Sequence, residues 1–453
     1  MYVVCAGSTR RLSTGLGFRA KDISLSTTPP SKPADQWPVL PLLAWGTATL
    51  FFFYAWVLRV SPSVMVTELM RDFAVGGAIL GNLSAFYFYG YSTMQVPVGL
   101  LMDRFGPRRL LTISALACTV GCLLFAASGE ALSASLSRLV IGAGAAFGLV
   151  GAMTIAGQWF PAHRFALLSG IAIMMGMIGG VFGQAPARLS VEAIGWRETM
   201  VAFSAGGLVL AVAAWSFVRD KPVAGGVHQH SIWSSLGIVV RNRQVWLNAV
   251  AGLGTTAPLL GFAGLWGVPY FETRYEIDRT AAAGMTSLVL IGLAIGSPFF
   301  GWLSDRMQRR RLPLVFGLLI CLVSFAALVY LPDVSIRMAT VLALVCGFGA
   351  AAQITCFAAA REASPGALSG TTLGLTNGLV TSAGAVFQPL IGALLDAGWT
   401  GETEGGARVY DLAAYQYAFV AVTIGTVVGL LSALTTRETY CRPLDESETV
   451  TLN

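Results

Sequence analysis

Twelve stretches of this chain, each at least 20 residues long, contain no Asp, Glu, Lys or Arg. They cover 36–58, 73–102, 110–129, 139–162, 165–187, 199–218, 244–271, 280–304, 312–332, 338–360, 363–395 and 412–436. About 20 apolar residues in a helix cross the ~30 Å hydrocarbon core of a bilayer. The sequence is 55% hydrophobic and only 11% charged. The pattern predicts an all-α, polytopic membrane protein with 12 transmembrane helices. It excludes a soluble enzyme, a disordered chain, a secreted disulfide scaffold and an outer-membrane barrel, whose strands alternate.

Basic residues lie mainly on one side of the predicted spans. With the spans numbered 1 to 12 and both termini inside, the inner segments hold 20 of the 29 Lys and Arg residues and the outer segments hold nine. This is the positive-inside distribution. It predicts a multi-pass protein of a bacterial inner (plasma) membrane with both termini cytoplasmic. The net charge of +6 is then loop charge that sets orientation, not a nucleic-acid surface.

Three repeated motifs divide the chain into two halves of six spans. Span 2 ends in GLLMDRFGPRR (99–109), and span 8 ends in GWLSDRMQRRR (301–311), 202 residues later. Gln184 in span 5 and Gln388 in span 11 are 204 residues apart, and both are followed by a proline within two residues. The third motif is a glycine-rich run in spans 4 and 10. We expect a disordered cytoplasmic tail (1–37), an N-terminal six-helix bundle (38–218), a cytoplasmic linker loop (219–243), a C-terminal six-helix bundle (244–436) and a cytoplasmic tail (437–453).

The loop G-x-L-x-D-R-x-G-x-R-R after span 2, its degenerate copy after span 8 and the two six-span halves resemble the major facilitator superfamily over about residues 40–436. The resemblance implies two helical bundles that alternate access to a central cavity lined by spans 1, 4, 7 and 10. It implies transport and does not identify the substrate. The segments YAWVLRVSPSVM (54–65) through WFPAHRFALLSG (159–170) are most similar to the branch of lysosomal dipeptide transporters and their bacterial relatives.

The repeated loop supplies a candidate gate. The resemblance implies that it latches the inner side shut in the outward-open state, since a carboxylate at a helix end can hold a neighbouring helix N-terminus and an arginine. The alternative is a positive-inside anchor with no gating role. The predicted gating residues are Asp103, Arg104, Gly106 and Arg109 in the first copy, and Asp305 and Arg306 in the second.

Two arginines lie inside predicted spans, where a charge is costly and is a site candidate by default. Arg59 in span 1 and Arg138 in span 4 fall at a similar depth toward the outer side, so their guanidiniums can form a fork for a carboxylate or phosphate. The alternative is that both snorkel to the outer interface. Arg59 also resembles the span-1 arginine of the organic-anion branches, which often carry an Asp just before it, where this chain has Leu58.

Uncharged polar and aromatic side chains complete the predicted substrate site. An amide buried in hydrocarbon needs a partner, which a neighbouring helix supplies as readily as a substrate does. An aromatic residue near an outer helix end can instead belong to the interfacial belt. The residues predicted to bind substrate are Arg59, Arg138, Tyr91, Gln184, Trp266, Gln353 and Gln388.

No span centre carries Asp or Glu, and proton symport usually needs a carboxylate in or beside the cavity. Uniport or exchange is therefore favoured, with Glu68 and Glu130 as the nearest candidates for coupling. The leading hypothesis is a secondary active or facilitative transporter of a small carboxylate-bearing solute, with a dipeptide or amino acid favoured. The alternatives are another organic anion (a di- or tricarboxylate, sugar acid or phosphate ester) and a drug-efflux antiporter.

Other functional classes are disfavoured. No phosphate-cradling P-loop, HExxH or nucleophile elbow occurs, so no enzyme activity is expected. A non-transporting sensor would need a specialised soluble appendage. None of the seven cysteines forms a CxxC pair, so no metal site and no cofactor are expected. The expected partners are the small-molecule substrate and the lipid bilayer, with no nucleic acid, and the protein is expected to act as a monomer or weak dimer.

Overall fold

The computed structural model describes residues 39–220, 232–365 and 368–442. Apart from one two-stranded hairpin, the elements in this part of the chain are helices. Eleven of the helices are long and apolar enough to cross a membrane. Span 2 meets the same criterion together with the short helix Val66–Asp72, from which it bends by 114°. The predicted all-helical class and the number of spans are therefore confirmed.

In the first half the spans are span 1, Val39–Val60, followed by a 3₁₀ turn, Ser61–Val64; span 2, Gly77–Phe105; span 3, Pro107–Ala126; span 4, Ala131–Ala145 and Phe147–Trp159; span 5, Ala162–Phe182 and Ala185–Ile194; and span 6, Trp196–Phe217. The helix Val66–Asp72 joins spans 1 and 2.

In the second half they are span 7, Arg243–Thr256, a π-helix, Ala257–Trp266, and Gly267–Tyr275; span 8, Arg279–Met307; span 9, Arg311–Tyr330; span 10, Ile336–Ala350 and Gln353–Glu362; span 11, Ser369–Ala397; and span 12, Leu412–Thr435. A short helix, Ile232–Arg241, lies within the predicted linker loop, and strands Thr403–Glu404 and Ala407–Arg408 form the hairpin between spans 11 and 12.

The same helix pairings recur in the two halves. Span 1 packs on span 5, span 2 on span 4, and span 3 on span 6, while span 7 packs on span 11, span 8 on span 10, and span 9 on span 12. The halves meet where span 2 lies against span 11 and span 5 lies against span 8. Glycines allow the close approach: a Cβ on Gly81 would lie 2.3 Å from the carbonyl oxygen of Gln388.

Spans 1, 5 and 7 are not continuous α-helices. Span 1 changes to a 3₁₀ turn at Ser61–Val64, where Pro62 lies near the start of the turn, and span 5 breaks at Gln184. Span 7 widens into the ten-residue π-helix, near the start of which lies Pro258. A proline removes a backbone donor, and π-helical segments are often found at functional sites. The interruptions leave backbone carbonyls that polar side chains can bind.

We call the end that carries the loops 103–109 and 305–311 the basic end, and the other end the opposite end. At the basic end, an acidic residue just after each half's sixth span caps the first turn of that half's third span. Asp220 accepts the N–H of Arg108 at 2.9 Å. Glu438 accepts the N–H groups of Arg310 and Arg311 at 2.5 and 3.1 Å. These caps extend the internal repeat beyond the motifs seen in the sequence.

Candidate substrate site and gates

Arg59 lies at the end of the helical part of span 1 and is only 3% exposed. Its guanidinium carbon lies 4.2 Å from the ring centroid of Trp56 and 4.4 Å from that of Tyr91. Its Nε donates to the hydroxyl of Tyr87 at 3.4 Å. Arg59 forms no ion pair with any described carboxylate. Two aromatic faces therefore stabilise a buried cation whose charge is not neutralised in this structure.

Trp56 also belongs to this site, although it is not among the residues predicted to bind substrate. It is 6% exposed and lies beside Arg59, one helical turn away. The sequence signal that could have found Trp56 is its spacing of three residues from Arg59, which puts both side chains on the same helix face. Trp266, which is among the predicted residues, is fully buried, as is Tyr270.

Arg138 is fully buried against span 1. Its Nη1 donates to the carbonyl oxygen of Leu58 at 2.6 Å and its Nη2 to that of Arg59 at 3.3 Å. Its guanidinium carbon lies 4.8 Å from the ring centroid of Tyr87, and its Nε has no partner among the described residues. Arg59 and Arg138 thus share one site, and neither extends to an exposed interface.

The repeat-related glutamines bind the π-helix of span 7. Gln184 donates from Nε2 to the carbonyl oxygen of Ala263 at 2.9 Å, and Gln388 donates from Nε2 to that of Leu260 at 2.8 Å. Both side chains are fully buried. Because Gln184 belongs to the first half, its bond to Ala263 crosses between the halves. The side-chain oxygen of Gln388 has no partner in the described part of the chain.

The remaining predicted residues divide between two groups. Tyr91 stacks on Tyr87 beside Arg59, with ring centroids 6.0 Å apart. Gln184 belongs to the same group around span 1, because its Oε1 accepts a hydrogen bond at 3.0 Å from the hydroxyl of Ser63, four residues after Arg59. Trp266 donates its indole N–H to the backbone oxygen of Gln388 at 3.0 Å. Gln353 is partly buried and accepts the Thr256 hydroxyl at 3.1 Å, in the second half.

The two halves are joined at the opposite end by charged groups. Glu68 forms ion pairs with Arg188 of its own half at 2.7 Å and with Arg279 of the other half at 3.2 Å. Asp396 of span 11 accepts the N–H groups of Gly77 and Ala78, the first two residues of span 2, at 2.9 Å each. A cavity of about 460 Å³ lies beside these contacts; its lining includes Glu68, Trp266, Thr273, Arg279, Arg408 and Tyr410.

The predicted gating residues occupy the basic end. The side chain of Asp103 lies outside the described residues. Gly106 has φ +78° and approaches Asp220 so closely that a Cβ would lie 2.4 Å from its Oδ1. Arg104 and Arg109 are exposed. Arg108, which lies in the same loop but is not among the predicted gating residues, donates from Nε to the carbonyl oxygen of Trp215 at 2.9 Å.

In the second copy of the loop, the contacts stay within one half. Asp305 pairs with Arg310 at 2.7 Å, and Glu362 of span 10 pairs with the same arginine at 2.8 Å. Burial alone would lower the pKa of Arg310, but its hydrogen bonds to Glu362 and Asp305 raise that pKa above its usual value. Arg306 is exposed. Arg310 and Glu362 are thus structural partners that the sequence interpretation missed.

The family model described as Major Facilitator Superfamily matches residues 47–389 and 259–449. The chain belongs to the major facilitator superfamily. This membership confirms the predicted family, and the curated relatives described below are named as transporters, not as enzymes. The structure is similar to that of a bacterial homolog of the human lysosomal transporter Spinster in an inward-facing conformation, with a TM-score of 0.71 and 16% identity over 88% of this chain and 98% of that chain.

Among curated relatives, a probable sulfoacetate transporter of Cupriavidus necator is 24% identical over 58% of this chain and 65% of its own length. A gentisate transporter of Corynebacterium glutamicum is 27% identical over 73% of this chain and 75% of its own length. A probable chloroplastic anion transporter of Arabidopsis thaliana is 26% identical over 55% of this chain and 53% of its own length. Two of these three matches span less than two thirds of the relative's own length.

Proposed function

We propose that this protein is a secondary transporter that carries a small organic anion by alternating access, with the guanidinium of Arg59 as the anion contact. The observation that carries the proposal is the pair of buried cations, Arg59 and Arg138, neither of which forms an ion pair with a described carboxylate. A buried charge is unfavourable unless it is paired. A carboxylate or sulfonate of the substrate would supply the missing negative charge.

The relatives favour an organic anion over the dipeptide or amino acid that the sequence favoured. Proteins whose names specify sulfoacetate, gentisate and anions match this chain over half its length or more. Each of these named solutes carries an acidic group. The aromatic rings of Trp56 and Tyr91, which hold the guanidinium of Arg59, give the site partly apolar walls that suit an organic anion. A dipeptide or amino acid remains the alternative, because it also carries a carboxylate.

We further propose uniport or exchange rather than proton symport. No span centre carries Asp or Glu, and Glu68 at the opposite end is engaged in ion pairs with Arg188 and Arg279. We also propose that the chain is divided into two six-helix bundles and that it lies in the plasma membrane with both termini in the cytoplasm. The predicted gating residues would then latch the basic end.

Uptake by proteoliposomes tests the substrate class. The panel contains sulfoacetate, gentisate, a sugar acid, a dicarboxylate, an alanine dipeptide and free amino acids, with a lipophilic cation to represent drug efflux. We expect saturable uptake of at least one small organic anion and competition by other anions in the panel. Transport restricted to the dipeptide or amino acids would replace the organic anion by the alternative. Transport of the cation alone would contradict the proposal.

A further inference from the structure

Span 1 contains a proline at a position where an α-helix would need a backbone donor. Pro62 has no N–H, so the carbonyl oxygen of Leu58, four residues earlier, cannot receive the bond that a continuous helix would give it. The helix ends at Val60, and the 3₁₀ turn Ser61–Val64 follows. This carbonyl lies next to Arg59. The turn therefore leaves an acceptor inside the membrane region that needs a donor from elsewhere.

Arg138 of span 4 provides that donor. Its Nη1 lies 2.6 Å from the Leu58 oxygen and its Nη2 lies 3.3 Å from the Arg59 oxygen, so both terminal nitrogens bind consecutive carbonyls. The hydroxyl of Ser61 also reaches the Leu58 oxygen, at the longer distance of 3.3 Å. The carbonyl dipoles and the Tyr87 ring face stabilise the buried charge of Arg138.

We infer that Arg138 is a positioning residue: it replaces the N–H that Pro62 lacks and so fixes the turn from which Arg59 reaches the substrate. In this arrangement Arg138 is not the second arm of an anion fork, because the edge of its guanidinium formed by the two terminal nitrogens faces the backbone carbonyls of span 1. The inference deepens the proposed function, since Arg59 is the anion contact there. The contacts to the backbone carbonyls do not depend on what Arg59 binds.

Restoring the missing N–H tests the inference directly. Pro62→Ala returns a donor to the Leu58 carbonyl, so it should make Arg138 dispensable. We compare wild type, Arg138→Met, Pro62→Ala and the double variant. Three measurements are made on purified protein: the apparent melting temperature without ligand, hydrogen exchange of the amides in 61–64, and affinity for sulfoacetate and gentisate.

We expect Arg138→Met to lower the melting temperature, to speed amide exchange in the turn and to weaken anion binding roughly tenfold, the scale of one charge-assisted hydrogen bond. In the double variant all three values should return to those of Pro62→Ala alone, with affinity within about threefold. Arg59→Met is the matched control: it removes a neighbouring buried guanidinium that makes no bond to these carbonyls. Pro62→Ala should not rescue it.

A substrate-binding Arg138 gives the opposite pattern and would overturn the inference. Arg138→Met would then leave the ligand-free melting temperature unchanged or raise it, because an unneutralised buried charge is removed. Its weakened affinity would not recover with Pro62→Ala. If Arg138→Met does not express, recovery of expression in the double variant supports the inference and failure of both contradicts it. If wild type binds neither anion, the proposed substrate class is in doubt, while the melting and exchange measurements still decide the role of Arg138.

Discussion

The carboxylate of Asp396, at the end of span 11, caps the helix that begins at Gly77 in the other half of the molecule. Within its own half, Asp396 is held by Arg408 at 3.0 Å and by the hydroxyl of Tyr410 at 2.5 Å. If the halves separated at this end, the carboxylate would lose the N–H groups of span 2 and keep these two partners. The charge would not become isolated, so the contact can close and reopen at a modest cost.

Asp396→Ala is expected to open the opposite end. The variant removes two charge-assisted bonds, each worth ~1.5–3 kcal/mol, and ~1.4 kcal/mol changes an equilibrium tenfold. Two such bonds total at least ~3 kcal/mol, so a cysteine introduced at Thr273, in the lining of the cavity, should then react roughly a hundred times faster or more with a bulky thiol reagent. The rate is measured on purified protein in detergent, with Cys441 replaced by Ser because it is only partly buried.

Asp411→Ala is the matched control for this experiment. Asp411 also caps a helix at the opposite end, accepting the N–H of Ala414 at 2.7 Å, but both residues belong to one half. Its loss should weaken the cap of span 12 without changing the reaction rate at position 273. Equal rates in wild type and Asp396→Ala would show that the cap does not hold the halves together.

Transport is expected to be independent of an inward proton gradient. Glu68 bridges Arg188 of its own half and Arg279 of the other, and Arg279 also keeps Glu272 at 3.0 Å. If the ion pair between Glu68 and Arg279 breaks, Glu68 keeps Arg188 and Arg279 keeps Glu272. The halves can therefore separate at this end without uptake of a proton. Uptake is measured with and without a protonophore at zero membrane potential. A large loss of accumulation would identify Glu68 as the first carboxylate to neutralise.

Much of the fold follows from the sequence because span length and charge are local properties. The gaps between charges gave the twelve helices, and the spacing of repeated motifs gave the two halves. The helix interruptions are less accessible: a proline such as Pro62 favours a break in a helix, but nothing in the sequence of span 7 distinguishes a π-helix from an α-helix. Such a change depends on partners from other spans, here the amides of Gln184 and Gln388.

The site was only partly predictable for the same reason. A charge inside an apolar span can be recognised from sequence, so Arg59 and Arg138 were found. The partners of these arginines cannot be recognised from sequence, because every residue type has a backbone carbonyl that can accept a hydrogen bond. Arg138 therefore looked like a second anion contact, although its terminal nitrogens lie on the carbonyls of span 1. The acidic caps Asp220 and Glu438 were missed because they share no motif around them.

The basic end is expected to face the cytoplasm. The prediction depends on the distribution of 20 Lys and Arg residues against nine. Arg243→Cys at the basic end and Glu404→Cys in the opposite-end hairpin both replace exposed residues. In intact cells an impermeant thiol reagent should label only the cysteine at 404. Labelling of the cysteine at 243 from outside, with none at 404, would reverse the topology.

Gly106→Ala is expected to destabilise the protein by about 1–3 kcal/mol, the usual cost of a side chain in strained backbone. Gly106 has φ +78°, and the added Cβ would meet the carboxylate of Asp220. Gly99→Ala is the control, since its Cβ would lie in open space within a helix and should stabilise by ~0.5–1 kcal/mol. Thermal unfolding in detergent compares the two. A Gly106→Ala protein as stable as wild type would show that the loop accommodates the side chain.

Arg59 is expected to determine anion affinity. Arg59→Ala loses the charge and the planar donor pair, and Arg59→Lys keeps only the charge. One charge-assisted bond is worth ~1.5–3 kcal/mol, so Arg59→Ala should weaken binding by roughly 10- to 100-fold, with Arg59→Lys intermediate. Expression should stay near that of wild type, because removing a buried charge relieves a burial cost.

Arg337→Ala, at an exposed arginine of the opposite end, controls for overall charge and should bind normally. Affinity of the purified variants for a transported anion is measured by calorimetry. Unchanged affinity in Arg59→Ala would remove Arg59 from the binding site and leave the two buried cations without a role in substrate selection.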